Sequence, residues 1–232
     1  MKRIVIINDI HGNLTALEAV LPKIKELNPD YIFTPGDIVG IGPHSNEVIN
    51  VLKTLPNLYC TKGNHECYLL DGFYNPASAF EVAHHQFIKS QVSIENRSFL
   101  KAIPYEQHFV LEGFKICMLH YARVALHFTP ICWDPTGADL EELYHDIDAD
   151  IIIFGHEHKA SIIESPRLFI NGGSLGCSNY NPGFAKMLLL TLDNKTYKIE
   201  EYKIPYDVEK VKQDITNIKL PDGQFINNTF IK

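Results

Sequence analysis

The chain has 232 residues, a formal net charge of −7 and 45% apolar residues. This length allows one large domain, or one domain with an inserted cap. The composition is typical of a soluble globular protein, and no stretch is long and apolar enough to span a membrane. The negative net charge argues against a surface that covers nucleic acid by binding its phosphates.

The first sixty residues alternate apolar runs with helical patterns. Strands are predicted at residues 4–7, 31–34 and 58–61, and helices at 14–27 and 47–55. Asn13 is the expected N-cap of the first helix, which Asn28-Pro29 ends. This βαβαβ order predicts a parallel sheet that binds ligands beyond the carboxyl ends of its strands.

The second half of the chain has a different pattern. Residues 67–105 show helical spacing without a clear strand, which predicts an inserted helical cap. A hairpin is expected at 109–119, a strand at 151–154, and antiparallel strands at 161–164, 168–171, 186–192 and 196–204. Helices are predicted at about 138–145 and 205–217. Two packed sheets with helices outside is the expected architecture.

The sequence also indicates a compartment. The first apolar run is too short for a signal peptide and is followed by Asn8-Asp9, without a cleavage pattern. We therefore expect a cytoplasmic protein. Its five cysteines have no metal-binding spacing, which favours buried thiols in a reducing compartment over disulfides or metal ligands.

Short clusters of possible metal ligands follow the predicted strands. They are Asp9-x-His11, Gly36-Asp37, Gly63-Asn64-His65-Glu66, a lone His120 and Gly155-His156-Glu157-His158. Singly, each has an ordinary alternative: a polar turn, an exposed loop or, for His120, a core histidine. Together they supply carboxylate, imidazole and amide donors that suit two divalent cations. Two such cations side by side suit phosphate ester hydrolysis.

In this order the clusters resemble the signature of the calcineurin-like metallophosphoesterase superfamily, from Met1 to about Ile204. The resemblance implies a four-layer α/β/β/α sandwich of two mixed sheets. It implies that Asp9, His11 and His158 hold one ion, that Asn64, His120 and His156 hold the other, and that Asp37 bridges both. It also implies that His65 is catalytic and stabilises or protonates the leaving oxygen.

Finer features point to one part of this superfamily. Gly36-Asp37-Ile38-Val39-Gly40 is similar to bacterial proteins described as diadenosine tetraphosphatase-like or phosphodiesterase-like. The protein Ser/Thr phosphatase branch has an arginine after Gly-Asp, and here Val39-Gly40 follows instead. Phosphoprotein is therefore not the expected main substrate.

The sequence further predicts a single domain, 1–232, in which residues 67–105 form the cap. The mixed N/O ligands favour manganese or iron, and zinc, nickel, cobalt and magnesium also fit. Substrate contacts are predicted for five residues: Asn13, His84, His85, Arg97 and Arg123. Alternatively, Arg123 is a solvated loop residue and the cap only covers core surface.

The favoured function is hydrolysis of phosphate esters or phosphoanhydrides in small, nucleotide-like substrates. One alternative is a metal-bound interaction module that has lost catalysis, although no expected ligand is missing. The other is a nuclease, although His84-His85, Lys89 and Arg97 are sparse for a basic groove. We expect neither a membrane nor a nucleic-acid partner, and the oligomeric state stays open.

Overall fold

The computed structural model describes residues 1–74 and 76–232 and contains two five-stranded sheets. The first sheet has the strand order Thr196–Pro205 (β12), Phe184–Asp193 (β11), Lys2–Ile6 (β1), Tyr31–Thr34 (β2) and Leu58–Cys60 (β3). Strands β1, β2 and β3 are parallel, as predicted, whereas β11 runs antiparallel to β1 and β12.

The second sheet also has a parallel centre. Its order is Glu106–Leu111 (β4), Phe114–Leu119 (β5), Ile151–Phe154 (β8), Leu168–Asn171 (β10) and Ser161–Glu164 (β9). Strands β5, β8 and β10 are parallel, and β4 and β9 are antiparallel edges. Arg123–Val124 (β6) and His127–Phe128 (β7) form a small separate hairpin that the sequence did not predict.

Helices cover the outer faces of both sheets. The helices are Leu14–Leu27 (α1), Ser45–Leu52 (α2), Asn64–Asp71 (α3), Ala79–Gln91 (α4), Ile94–Ala102 (α5), Gly137–Leu143 (α6), Val208–Asn217 (α7) and Gly223–Thr229 (α8). A single turn of 3₁₀ helix spans Ser178–Tyr180. Helix α1 begins as predicted at its N-cap Asn13, whose Oδ1 accepts a hydrogen bond from the Ala16 N–H at 3.0 Å.

Alternation along β1 explains the four layers. Ile4 and Ile6 pack between the two sheets, whereas Val5 and Ile7 pack under helices such as α1 and α7. A third apolar cluster joins the outer face of the second sheet to α6. Both faces of β1 are therefore buried, which is why the strand is an unbroken apolar run. The predicted four-layer α/β/β/α fold is confirmed.

Residues 67–105 hold most of α3 and all of α4 and α5, and no strand among their described residues. Asn75, inside this predicted cap, lies outside the described residues. The last predicted helix begins at Val208, and α8 follows it without having been predicted. Across residues 1–74 and 76–232, none of the helices has the length and apolarity needed to cross a bilayer.

Candidate metal centre

All seven predicted ligands lie just beyond the carboxyl ends of parallel strands. Strands β1, β2 and β3 of the first sheet are followed by Asp9, His11, Asp37 and Asn64. Strands β5 and β8 of the second sheet are followed by His120, His156 and His158. The two sheet edges are joined at Asn8, whose Nδ2 donates to the Phe154 carbonyl at 2.6 Å. Both sheets therefore contribute donors to one place.

The first ligand group consists of Asp9, His11, Asp37 and His158. The Nε2 atoms of His11 and His158 lie 2.8 Å apart. Each of these two atoms is 3.9 Å from Oδ1 of Asp9, and Nε2 of His11 is 3.7 Å from Oδ2 of Asp37. These distances place two carboxylates and two imidazoles around one point.

The second ligand group consists of Asp37, Asn64, His120 and His156. Nε2 of His120 lies 3.0 Å from Oδ1 of Asn64, 3.2 Å from Nδ1 of His156 and 3.3 Å from Oδ2 of Asp37. Oδ2 of Asp37 therefore faces both groups. This grouping matches the division of ligands that the resemblance implied, and the metal-binding roles themselves stay predictions.

The donor set fits a pair of divalent cations. Nε2 of His11 faces Nε2 of His158, and two neutral imidazole nitrogens can form at most one hydrogen bond between them. Oδ2 of Asp9 is buried and has no hydrogen-bond partner in the described structure. Converging lone pairs of this kind are unfavourable in a protein interior unless a cation or a proton lies among them.

The ligand loops are also conformationally strained. Five of the predicted ligands have positive φ angles, which non-glycine residues rarely adopt: Asp9 (49°), His11 (49°), Asp37 (51°), His156 (76°) and His158 (57°). Each such residue costs about 1–3 kcal/mol and persists only when its surroundings fix it. Strain concentrated on these residues points to a functional site.

Burial sets the protonation states that ligation requires. It lowers the pKa of His11 to about 3 and of His158 to about 4, so both rings are neutral donors at neutral pH. Burial opposes ionisation of Asp37, but the neighbouring His120 and His65 hold the pKa of this carboxyl well below its usual range. Burial raises the pKa of Asp9 to about 7, which a bound cation would counteract.

Glu66 is a residue of the site whose role the sequence did not reveal. Its buried carboxylate accepts four backbone hydrogen bonds, at 2.8–3.1 Å, from the N–H groups of Asp37, Ile38, Val39 and Gly63. It thereby fixes the loop that carries Asp37. The available signal was its position, since Glu at the third residue of a helix is typical of a capping box.

The predicted catalytic residue His65 lies at the start of α3, beside both ligand groups. Its backbone N–H donates to Oδ1 of Asp37 at 2.9 Å, and its ring is 4.8 Å from that of His11. Gly40 passes so close to this ring that a Cβ atom at that position would collide with it. Nδ1 of His65 lies 3.2 Å from Nε2 of His85 on α4.

The partners of His85 assign the tautomers of this histidine pair. The Glu81 carbonyl can only accept, so Nδ1 of His85 donates to it at 3.0 Å. In neutral His85, Nε2 is then an acceptor, and Nδ1 of His65 donates to it. Nε2 of His65 is left to exchange a proton with another group.

The other predicted substrate residues have structural partners. Asn13 caps α1 and its Nδ2 donates to the Gly176 carbonyl at 2.8 Å. Arg97 donates to the Lys89 and Val92 carbonyls at the end of α4. Arg123 lies with its guanidinium 3.6 Å from the centre of the Tyr105 ring. Asn13, Arg97 and Arg123 are absent from the described lining of the cavity that contains His84 and His85.

His84 and His85 are placed differently, because both line a cavity that Asn64 and His65 also line. Nε2 of His84 accepts from the Ile41 N–H at 3.0 Å, and its Nδ1 donates to the Pro221 carbonyl at 3.3 Å. His84 thus joins the cap, the loop after β2 and the C-terminal segment. Substrate contact by these two histidines stays a prediction.

Several relatives and solved structures are similar to this chain. An uncharacterized protein of Methanocaldococcus jannaschii is 29% identical over 94% of both chains. A metallophosphoesterase from Sphaerobacter thermophilus has the same fold, with a TM-score of 0.77, 21% identity and 98% coverage of both chains. The symmetrical bis(5'-nucleosyl)-tetraphosphatase of Coxiella burnetii is 31% identical over 43% of this chain, but only 35% of its own length is matched.

A family model described as calcineurin-like phosphoesterase matches residues 2–160. This range contains all seven predicted ligands and His65. The match, the four-layer fold and the two ligand groups agree with one another. The chain therefore belongs to the calcineurin-like phosphoesterase family.

Proposed function

We propose that this protein is a hydrolase that uses two divalent cations, manganese or iron, to cleave phosphate esters or anhydrides in small, nucleotide-like substrates. The observation that carries the proposal is the convergence of seven N and O donors into two groups that share Oδ2 of Asp37. The partial match to tetraphosphatases supports the nucleotide-like substrate.

In this proposal each residue has a defined task. The metal pair, when bound, supplies positive charge for the phosphate and lowers the pKa of water towards neutrality. Asp9, His11 and His158 would hold one ion, Asn64, His120 and His156 would hold the other, and the Asp37 carboxylate, which faces both ligand groups, would be shared. Glu66 fixes the loop of Asp37 so that the carboxylate does not have to reorganise during the reaction.

His65 is the general acid in this scheme. With Nδ1 donating to His85, a protonated His65 carries its second proton on Nε2. Water adds its hydroxyl group to phosphorus as the phosphorus–oxygen bond breaks, and its remaining proton passes to bulk solvent. The leaving oxygen takes the proton from Nε2 of His65, which regains a proton from solvent before the next turnover. Because water itself attacks phosphorus in this scheme, no covalent phospho-enzyme is required.

A substrate screen tests the proposal. The purified protein is stripped with a chelator, reloaded with Mn²⁺ or Fe²⁺, and assayed on phosphomonoesters, phosphodiesters and dinucleoside polyphosphates. We expect metal-dependent turnover of at least one nucleotide class. A protein that binds two ions per chain and hydrolyses none of these substrates would be an interaction module, and the proposal would be wrong.

A further inference from the structure

A cavity of about 280 Å³ begins at the predicted metal centre and extends between the cap and the end of the chain. Asn64 and His65 form its inner wall. Its volume is close to the lower end of the range for small-molecule sites, about 300–1,000 Å³. It therefore has room for part of a substrate whose phosphate lies at the metals.

The outer wall of this cavity is aromatic. It contains Tyr68 and Phe73 from the cap side and Phe225 and Phe230 from the C-terminal segment. The rings of Tyr68 and Phe73 stack on each other, with centres 4.5 Å apart, and Phe225 has an exposed fraction of 54%. Planar heterocycles stack on such rings, and the interaction tolerates any base because every base has a π-face.

The charged groups of the cavity disfavour a phosphate inside it, in addition to the one expected at the metal centre. Two carboxylates, Glu81 and Asp222, lie in its wall, and its described lining contains neither lysine nor arginine. Carboxylates repel phosphate, but they accept hydrogen bonds from the amino groups of nucleobases. The lining thus favours a neutral, planar group with N–H donors.

The C-terminal wall is held in place by the core. Ile226 of α8 and Ile231 are 4% and 1% exposed, and the Phe230 carbonyl accepts from the Ser178 N–H at 2.8 Å. The hydrogen bond from His84 to the Pro221 carbonyl ties the start of this segment to α4. The cavity is therefore preformed, as small-molecule sites usually are.

We propose that this cavity is a base-binding subsite, which takes the nucleobase of the group that leaves when the phosphate is cleaved. The assignment to the leaving side rests on the proposed function, because His65, the proposed acid, lies between the cavity and the ligand groups. The C-terminal segment, which lies outside the matched range 2–160, then determines which substrates are accepted.

Adenosine, which has no phosphate, tests the subsite separately from catalysis. Its binding is titrated by ligand-observed NMR against ribose, in the wild type and in three variants. Phe225→Leu removes the ring and should weaken adenosine binding roughly tenfold, whereas Phe225→Trp should retain it. Phe80→Ala is the matched control, because Phe80 is an exposed ring on α4 that does not line the cavity.

The outcomes separate the two proposals. Adenosine binding that depends on Phe225 supports the subsite, even if the screen finds no hydrolysis and the proposed function fails. Binding of adenosine no tighter than ribose would overturn the subsite, even if phosphoesters are cleaved. Equal losses in Phe225→Leu and Phe80→Ala would also overturn it, because the effect would not belong to this cavity.

Discussion

The two predicted carboxylate ligands use their oxygens differently. Oδ1 of Asp9 accepts from the His156 N–H at 3.1 Å, and Oδ1 of Asp37 accepts from the His65 N–H at 2.9 Å. Oδ1 of Asp9 is also the oxygen that lies 3.9 Å from Nε2 of both His11 and His158, whereas in Asp37 it is Oδ2 that faces both ligand groups. The fold, through these hydrogen bonds, holds the strained ligand loops in place.

Asp37→Asn should therefore separate metal binding from folding. The amide oxygen keeps the hydrogen bond from His65, but an NH₂ donor then faces the histidine nitrogens where a cation is expected. We expect a melting temperature close to that of the metal-free wild type and loss of most bound Mn²⁺. Elemental analysis after dialysis measures the metal content. Two ions per chain in this variant would contradict the bridging role of Asp37.

His65→Ala should remove catalysis without removing metal. The ring is the proposed proton donor, so kcat should fall by a factor of roughly 10²–10⁴ while metal content and melting temperature stay the same. His145→Ala, at an exposed histidine in the turn after α6, is the control and should leave kcat unchanged. Turnover at the wild-type rate in His65→Ala would show that His65 has no catalytic role.

His85 should act by positioning His65 rather than by contacting the reacting atoms. His85→Phe removes the acceptor for Nδ1 of His65, and kcat should fall roughly tenfold with little change in KM. His85→Gln presents an amide oxygen and should recover most of the lost rate. If His85→Phe and His85→Gln have the same kcat, His85 does not position His65. If KM rises instead of kcat falling, His85 contacts substrate, as the sequence predicted.

At the level of helices and strands, the local hydrophobic pattern predicted correctly the strands that end in ligand loops. The apolar runs of β1, β2 and β8 could be recognised in the sequence, and so could Asp9, Asp37 and His156, which follow them. Strand order was not visible, because β11 pairs with β1 across most of the chain length. A short window of sequence contains no information on pairing between strands so far apart.

The role of Glu66 and the wall formed by α8 were hidden for a related reason. Glu66 acts on backbone N–H groups about 28 residues away, and those partners carry no sequence signal. Helix α8 is short and polar, and only Ile226 is buried among its seven residues. Its position beside the cap depends on contacts such as the one between His84 and Pro221.

Glu66→Gln tests how α3 controls the loop after β2. Glutamine has only one acceptor oxygen, and its NH₂ group would face backbone N–H groups that now donate to the second oxygen of Glu66. About two of the four buried hydrogen bonds should therefore be lost. At about 1–3 kcal/mol each, the free energy of unfolding should fall by roughly 2–6 kcal/mol. Chemical denaturation of the metal-free protein measures this. Glu26→Gln, at a largely exposed side chain of α1, should change stability by less than about 1 kcal/mol.

For the whole molecule, the predicted centre joins the two halves of the sandwich. The first sheet supplies Asp9, His11, Asp37 and Asn64, and the second supplies His120, His156 and His158. Between the sheets the contact is otherwise apolar, with residues such as Ile6, Phe33 and Ile153 fully buried. A cation held by donors from both sheets would be lost when they separate, so we expect metal binding to be coupled to folding of the whole sandwich.

Removal of metal should therefore lower the melting temperature of the entire domain in one transition. A ligand at 100 times its Kd adds about 2.7 kcal/mol to the free energy of unfolding. For a chain of this size, 1 kcal/mol corresponds to about 2–4 °C, so each occupied site should raise the melting temperature by roughly 5–11 °C. Calorimetry with a chelator and then with increasing Mn²⁺ measures the shift, and Asp37→Asn should show much less of it. A melting temperature that is the same with chelator and with saturating Mn²⁺ or Fe²⁺ would mean that these donors do not form a metal site.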